Sequence, residues 1–304
     1  MDFESSGTIV DSPLNQSRRQ FIEKGLWTLA LTAVPLRRPA LGDTVQQLDN
    51  IEVTLGGRVG VAVINTGNGA RLAHRGDERF ALCSTFKWLL AAAVLTKQDE
   101  TGRILEKRLA YGPKDLLAHS PVTEKHVAEG SLPIRELCKA SVQLSDNTAA
   151  NILLRFLGGP AELTRYLRAI GDQMTRLDRV EPDLNTNLPG DTRDTTTPNA
   201  MVATMQTILL GDVLSTASRE TLLTWLKGCE TGLQRLRAGL PASWATGDKT
   251  GTGDHGAVND LAIVWRPKRS PILIAAYLSE SHAASAVLDG AQAQIGALVA
   301  KVIE

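Results

Sequence analysis

The chain has 304 residues, and its 33 Lys+Arg against 33 Asp+Glu give a formal net charge of zero. That balance excludes the basic stripe that nucleic-acid binding needs and the polybasic face of a membrane-surface protein. Hydrophobic residues at 43% and charged residues at 22% describe a folded globular chain, long enough for one large or two small domains with a sizeable core.

The first segment reads as something other than fold. Residues 17–24 carry Arg18, Arg19 and Lys24, and an uncharged apolar run follows over 25–36 (GLWTLALTAVPL). About a dozen apolar residues are too few to cross a bilayer, but a basic start, a short apolar run and a small-residue site make the pattern of an export signal. Ala40 and Gly42 supply the small residues, which puts cleavage before Asp43. Arg18-Arg19 followed by Phe21 resembles a twin-arginine signal, with Ile22 and Glu23 departing from the usual pattern. The alternative is a buried or interfacial N-terminal helix. The first reading implies delivery to the periplasm by the export machinery, with residues 1–42 removed.

From there the patterns alternate between strand and helix. Residues 58–65 are β-branched and 71–74 return after a turn at Asn65-Thr66-Gly67-Asn68-Gly69, which predicts a hairpin. Helical spacing is read over 84–98, 134–157, 161–170, 198–210 and, more briefly, 218–226. Residues 249–253 read as extended. Residues 259–265 and 271–278 form a second hairpin, and 283–303 form an Ala-rich helix with Val287, Ile295, Leu298 and Val302 on its apolar stripe. Strands at both ends with helices between them predict an α+β fold: one antiparallel sheet from both chain ends with flanking helices, plus a mostly helical lobe. The expected division is an α/β lobe from 43–80 and 227–304 and a helical lobe over 81–226, with a cleft between them. The three cysteines, Cys83, Cys138 and Cys229, are scattered and odd in number, so no disulfide framework is expected. With no C-x-x-C or H-E-x-x-H pattern and five histidines far apart, neither a metal site nor a cofactor is expected.

Four short segments could carry chemistry, and each has an ordinary alternative. Ser84-Thr85-Phe86-Lys87 opens a helix, where a spacing of three puts Ser84 and Lys87 on one face. A serine hydroxyl needs a neighbouring base to become a nucleophile, and a desolvated lysine can serve. The helix N-terminus adds unpaired N–H groups for a developing oxyanion. Otherwise Ser84 is a plain N-cap. Ser145-Asp146-Asn147 interrupts an apolar helical pattern, as a cap or as the lining of a cleft. Glu181-Pro182-Asp183-Leu184-Asn185 lies in a turn-rich stretch long enough for an Ω-loop over 179–194, which Arg179 and Asp194 could pin. A carboxylate and an amide there could hold and activate one water, or Glu181 is a solvated loop acid. Lys249-Thr250-Gly251-Thr252-Gly253 places two threonines on one face beside a cation suited to a carboxylate, or is a Gly-rich bend in an edge strand.

In this order the four motifs resemble the serine β-lactamases of class A. The resemblance runs through residues 43–304 and includes Thr123-Glu124-Lys125-His126, Ser145 to Asn151 and Arg193-Asp194-Thr195-Thr196-Thr197-Pro198. It implies that Ser84 attacks the β-lactam carbonyl of penicillins and cephalosporins, with Lys87, or Glu181 through a water, as the acylation base. Glu181 and Asn185 would hold the water that hydrolyses the ester, giving antibiotic resistance, and Ser145 would relay a proton to the leaving nitrogen. The backbone N–H groups of Ser84 and Thr252 would form the oxyanion hole. Lys249, Thr250, Thr252 and Arg235 would hold the substrate carboxylate, Arg235 standing in for an arginine that some members carry where this chain has Val258. Asn147 would bond the acylamino side chain. A monomer is expected.

The resemblance also carries departures. The cysteine bridge of several carbapenem-hydrolysing members would join Cys83 to a position that here is Gly253, and the partner position for Cys138 is Ala92. His119 replaces an aromatic ring at the rim, and Asp254 stands at the mouth in a segment closer to members accepting oxyimino cephalosporins. The rivals are a penicillin-binding D,D-peptidase, which lacks the Glu181–Asn185 pair, and a β-lactam sensor, which would be tethered by a membrane helix not read after residue 42.

Overall fold

The computed structural model describes residues 41–303. The export-signal reading therefore lies outside the described residues, except where its proposed end meets the first helix. That helix, α1, spans Leu41–Leu55, so a cut before Asp43 falls within its first turn. The sequence reading missed α1 because its buried positions, Leu48, Ile51 and Leu55, are sparse among polar residues.

Strands β1 (Arg58–Asn65), β2 (Arg71–His74) and the short β3 (Phe80–Ala81) follow, then α2 (Phe86–Thr101). A small hairpin pairs β4 (Arg108–Ala110) with β5 (Ser131–Pro133). Three helices come next: α3 (Ile134–Gln143), α4 (Asn147–Leu157) and α5 (Pro160–Ala169). The two-residue β6 (Thr195–Thr196) pairs with β3 and leads into α6 (Pro198–Leu210), α7 (Thr216–Lys227) and the single turn α8 (Leu236–Gly239). Strands β7 (Ala245–Thr252), β8 (Val258–Trp265) and β9 (Ile272–Ser279) and helix α9 (Ser285–Ile303) complete the described residues.

The main sheet has the order β2-β1-β9-β8-β7 and is antiparallel throughout. Its central strands are buried on both faces, which is why 58–65, 259–265 and 272–278 read as continuous apolar runs rather than alternations. One face packs with α1 and α9 in a core that includes Leu48, Val61, Ile274, Ile295 and Val299. The other face joins the larger core around α2, whose residues from Phe86 to Leu95 are all buried.

Two readings need correction. The continuous helix over 134–157 is two helices, broken at Ser145, whose φ is 58°, and restarted by Asp146, which caps α4 by accepting from Ala149 N. The apolar stripe of α9 is also rotated. Val287 is half exposed, and the buried face runs through Leu288, Ala291, Ile295, Leu298 and Val299. Helix α9 is long and apolar enough to cross a membrane, which the reading of the chain after residue 42 did not allow for. Its inner face is spent on the sheet.

Candidate active site

Ser84 lies in a 3-10 turn, Cys83–Thr85, that runs directly into α2. The residue before it, Cys83, is held at φ 44°, a left-handed conformation that is costly for a side-chain-bearing residue and recurs at functional turns. Strand β7 passes very close to this turn. A Cβ on Gly251 would come within 2.9 Å of Leu82 O and 3.1 Å of Cys83 Cβ, so the glycine of Lys-Thr-Gly is what admits the approach. A Cβ on Gly253 would lie 2.7 Å from Cys83 Sγ. All three thiols are free and buried, and desolvation pushes each above its ordinary pKa.

Lys87, the second residue of α2, is fully buried. Its Nζ lies 2.9 Å from Ser84 Oγ, 2.8 Å from Ser145 O, 2.6 Å from Asn147 Oδ1 and 2.9 Å from Glu181 Oε1. The carbonyl, the amide oxygen and the carboxylate are acceptors only, so this shell is made for an ammonium. Burial lowers the Lys87 pKa, and the Glu181 charge works against that fall. Ser84 Oγ donates to Glu181 Oε1 at 3.2 Å.

Ser145 Oγ stands between two buried lysines, 3.3 Å from Lys87 Nζ and 3.1 Å from Lys249 Nζ. Accepting from both, its own proton is left to point into the cleft. Lys249 is pushed down to about 8, first by desolvation and, among the other charges, by Lys87. Its Nζ also donates to Thr250 O at 2.8 Å. The Asp146 carboxylate, fully buried, fixes the Ser-Asp-Asn turn by accepting from Val122 N, Thr123 N and Thr123 Oγ1 at 2.8–3.1 Å.

On the far wall, Glu181 is nearly fully buried and its Oε2 accepts from Asn185 Nδ2 at 2.6 Å. Its peptide bond to Pro182 is cis. Asn151 of α4 clamps the Glu181 backbone on both sides, donating to its carbonyl at 2.9 Å and accepting from its N–H at 3.0 Å. At the loop neck, the fully buried Asp194 carboxylate accepts from Arg179 Nε at 2.5 Å and from the N–H groups of Asp178 and Arg179 at 2.7 and 2.9 Å.

Arg235 reaches the site from the turn before α8. It donates to Thr252 Oγ1 at 2.7 Å, to the carbonyls of Gly251 and Asn259, and to Asp289 at 2.8 Å. A cleft of about 300 Å³ is lined by Ser84, His119, Ser145, Asn147, Asn185, Thr231, Arg235, Thr250, Gly251 and Thr252. The structure thus brings Ser84, Lys87, Ser145, Asn147, Glu181, Asn185, Lys249, Thr250, Thr252 and Arg235 together, with Arg179 and Asp194 at the loop neck. The sequence reading gave no role to Asn151, which it quoted only as the end of the stretch Ser145 to Asn151 and which holds the Glu181 backbone, and it passed over Thr231, whose hydroxyl meets that of Thr250 at 2.5 Å. Both act on residues distant along the chain, Asn151 on Glu181 and Thr231 on Thr250.

Chemically, the cleft offers a hydroxyl beside a cation and a carboxylate, a second hydroxyl free to give a proton, and a cationic, hydroxyl-lined wall suited to a carboxylate.

The chain matches the model of the family described as "Beta-lactamase enzyme family" over residues 43–303. It is 48% identical to β-lactamase OXY-2 of Klebsiella oxytoca over 235 residues, covering 77% of this chain and 81% of that protein. It is 47% identical to β-lactamase CTX-M-8 of Citrobacter amalonaticus over 253 residues, 83% of this chain and 86% of that one. Among solved structures, an ancestral (GNCA) class A β-lactamase aligns with a TM-score of 0.83 at 57% identity, covering 84% of this chain and 98% of that chain.

Proposed function

The chain belongs to the class A β-lactamase family, hydrolases that open β-lactams, and from that premise we propose how its residues perform hydrolysis of penicillins and cephalosporins. The substrate carboxylate is held by Lys249, Thr250, Thr252 and Arg235, and the acylamino side chain by Asn147. Ser84 Oγ attacks the lactam carbonyl and gives its proton to Glu181, while Lys87, kept as an ammonium by its acceptor shell, stabilises the developing alkoxide. The N–H groups of Ser84 and Thr252 receive the oxyanion, an arrangement in which each donor is worth about a hundredfold or more in rate. Ser145 passes its proton to the leaving nitrogen and is reprotonated by Lys87, which takes up the proton that Glu181 received from Ser84, so Glu181 is a carboxylate again. Glu181 and Asn185 then activate the water that cleaves the Ser84 ester, releasing the opened product. This chemistry confers resistance to the substrates.

The observation that carries this reading is the contact of Glu181 with both Ser84 Oγ and the Asn185 amide. A carboxylate so placed can serve the deacylation of a β-lactam adduct, for which a D,D-peptidase has no such pair. The test is chromogenic cephalosporin turnover by residues 43–304 and by Glu181→Ala, with intact mass recorded after mixing with benzylpenicillin. Fast turnover by the parent is expected and, on the variant, loss of turnover with an acyl adduct that forms slowly, without its base, and then lasts. A lasting adduct on the parent would transfer the protein to the peptidase or sensor class. We also propose that the enzyme acts as a monomer in the periplasm after twin-arginine export. The N-terminal sequence of the secreted protein and its sedimentation mass test both.

A further inference from the structure

Two residues beyond Asn185, the Ω-loop carries another amide, Asn187, at φ 42°. Its Nδ2 donates to the carbonyls of Asp254 and His255, each at 3.2 Å, both in the turn between β7 and β8. It also exchanges hydrogen bonds with the buried Ser279 hydroxyl at the end of β9, at 3.0 Å from Nδ2 and 3.2 Å from Oδ1. The same turn reaches back to the catalytic wall, where Asp254 N donates to Asn185 O at 2.9 Å. Glu280 N, next after β9, donates to His255 O at 2.7 Å. Loop, turn and strand end therefore meet on one side chain. There is no slack beside it, because a Cβ on Gly253 would lie 2.5 Å from Asn185 O.

Glu181 has its own anchors in Asn151 and Lys87, whereas the Asn185 backbone leans on this turn. The two halves of the reaction depend on them differently. Acylation needs Glu181 against Ser84, but deacylation needs Glu181 and Asn185 to hold one water together. Resting on the mechanism above, we propose that Asn187 is a positioning residue for deacylation, acting through the β7–β8 turn on Asn185. In a two-step acyl-enzyme scheme a defect confined to the second step lowers kcat and KM together and leaves kcat/KM unchanged. A general loss of folded enzyme lowers kcat with no change in KM.

Asn187→Gly removes the amide while suiting the left-handed backbone, and Asn187→Asp keeps the shape but has no N–H to offer the two carbonyls. Both variants should lower kcat and KM with a good cephalosporin roughly fivefold to tenfold, hold kcat/KM within about twofold, and raise the fraction of acyl-enzyme seen by quenched intact mass at steady state. If Asn187→Gly does not fold, Asn187→Asp carries the test alone. Unchanged kcat and KM, or a fall of kcat/KM as large as that of kcat, would overturn the proposal. The parent and Glu181→Ala run alongside: loss of turnover in the parent, or undiminished turnover in Glu181→Ala, sinks the underlying mechanism instead.

Discussion

The nucleophile side of the cleft and the Ω-loop side are held by different means. Ser84, Lys87 and Lys249 ride on a helix start and a central stretch of strand, where the backbone ladder fixes position and burial does the electrostatic work. Glu181 and Asn185 ride on a loop with only one short 3-10 turn, Asp183–Asn185, and are held by side chains reaching backbone: Asn151, Asp194 and Asn187. On the first side, substitutions should therefore disturb charge and chemistry more than shape. On the second they should disturb shape first and chemistry through it.

The largest expected effect tests the first half of that statement. Ser84→Ala should lower kcat roughly a millionfold and leave no acyl adduct, with a urea midpoint within experimental scatter of the parent. A large fall in the midpoint would mean that the nucleophile also supports the fold. Next comes the loop neck. Asp194→Ala takes the acceptor from Arg179 Nε and from two backbone N–H groups around a buried site, so it should cost about 3–5 kcal/mol of stability in urea denaturation. It should also lower kcat about a hundredfold through displacement of Glu181. Activity falling at full stability would break the contrast.

Arg235→Ala should raise KM for carboxylate-bearing substrates about tenfold with little change in kcat, since it removes a charge-assisted contact made equally to ground and transition states. A KM unchanged in steady-state assays would remove Arg235 from the substrate wall. The smallest effect is in pH. Lys249 titrates at about 8 in the folded chain against about 10.5 unfolded, so it loses its charge, and its hold on the carboxylate, as pH rises through 8. Severalfold loss of kcat/KM between pH 7 and 9 is expected. Over that window the unfolded state binds more protons, so this lysine's contribution to stability rises with pH while activity falls. Parallel decline of both would assign the activity loss to unfolding.

The same division decides what was legible in the sequence. Ser84 and Lys87 are three residues apart, so their shared face follows from helix geometry alone, and a polar triplet inside an apolar pattern marks Ser145 to Asn147 as a cap or a cleft lining, although the helix is read straight through the break that the structure places at Ser145. The pairing of the terminal strands was legible too, because buried central strands leave long apolar runs. What held the Ω-loop was not. Asn151 lies 30 residues from the backbone it clamps, and Asn187 lies 92 residues from Ser279. An asparagine written in a loop looks the same whether it fastens two segments or faces water. Only the fold shows which backbone its amide meets.

The sheet order has a consequence in time. Strand β1 pairs on one side with β2, its near neighbour in sequence, but on the other with β9, and Arg58 at its start bonds Glu280 across 222 residues. Between β1 and β7 stand β9 and β8, so the strand carrying Lys249 joins that of Arg58 only once both are made. A growing chain thus completes its helical stretch, nucleophile included, well before its carboxylate-binding wall can be braced. Contacts so distant in sequence slow folding, so the two walls of the cleft are completed at different times.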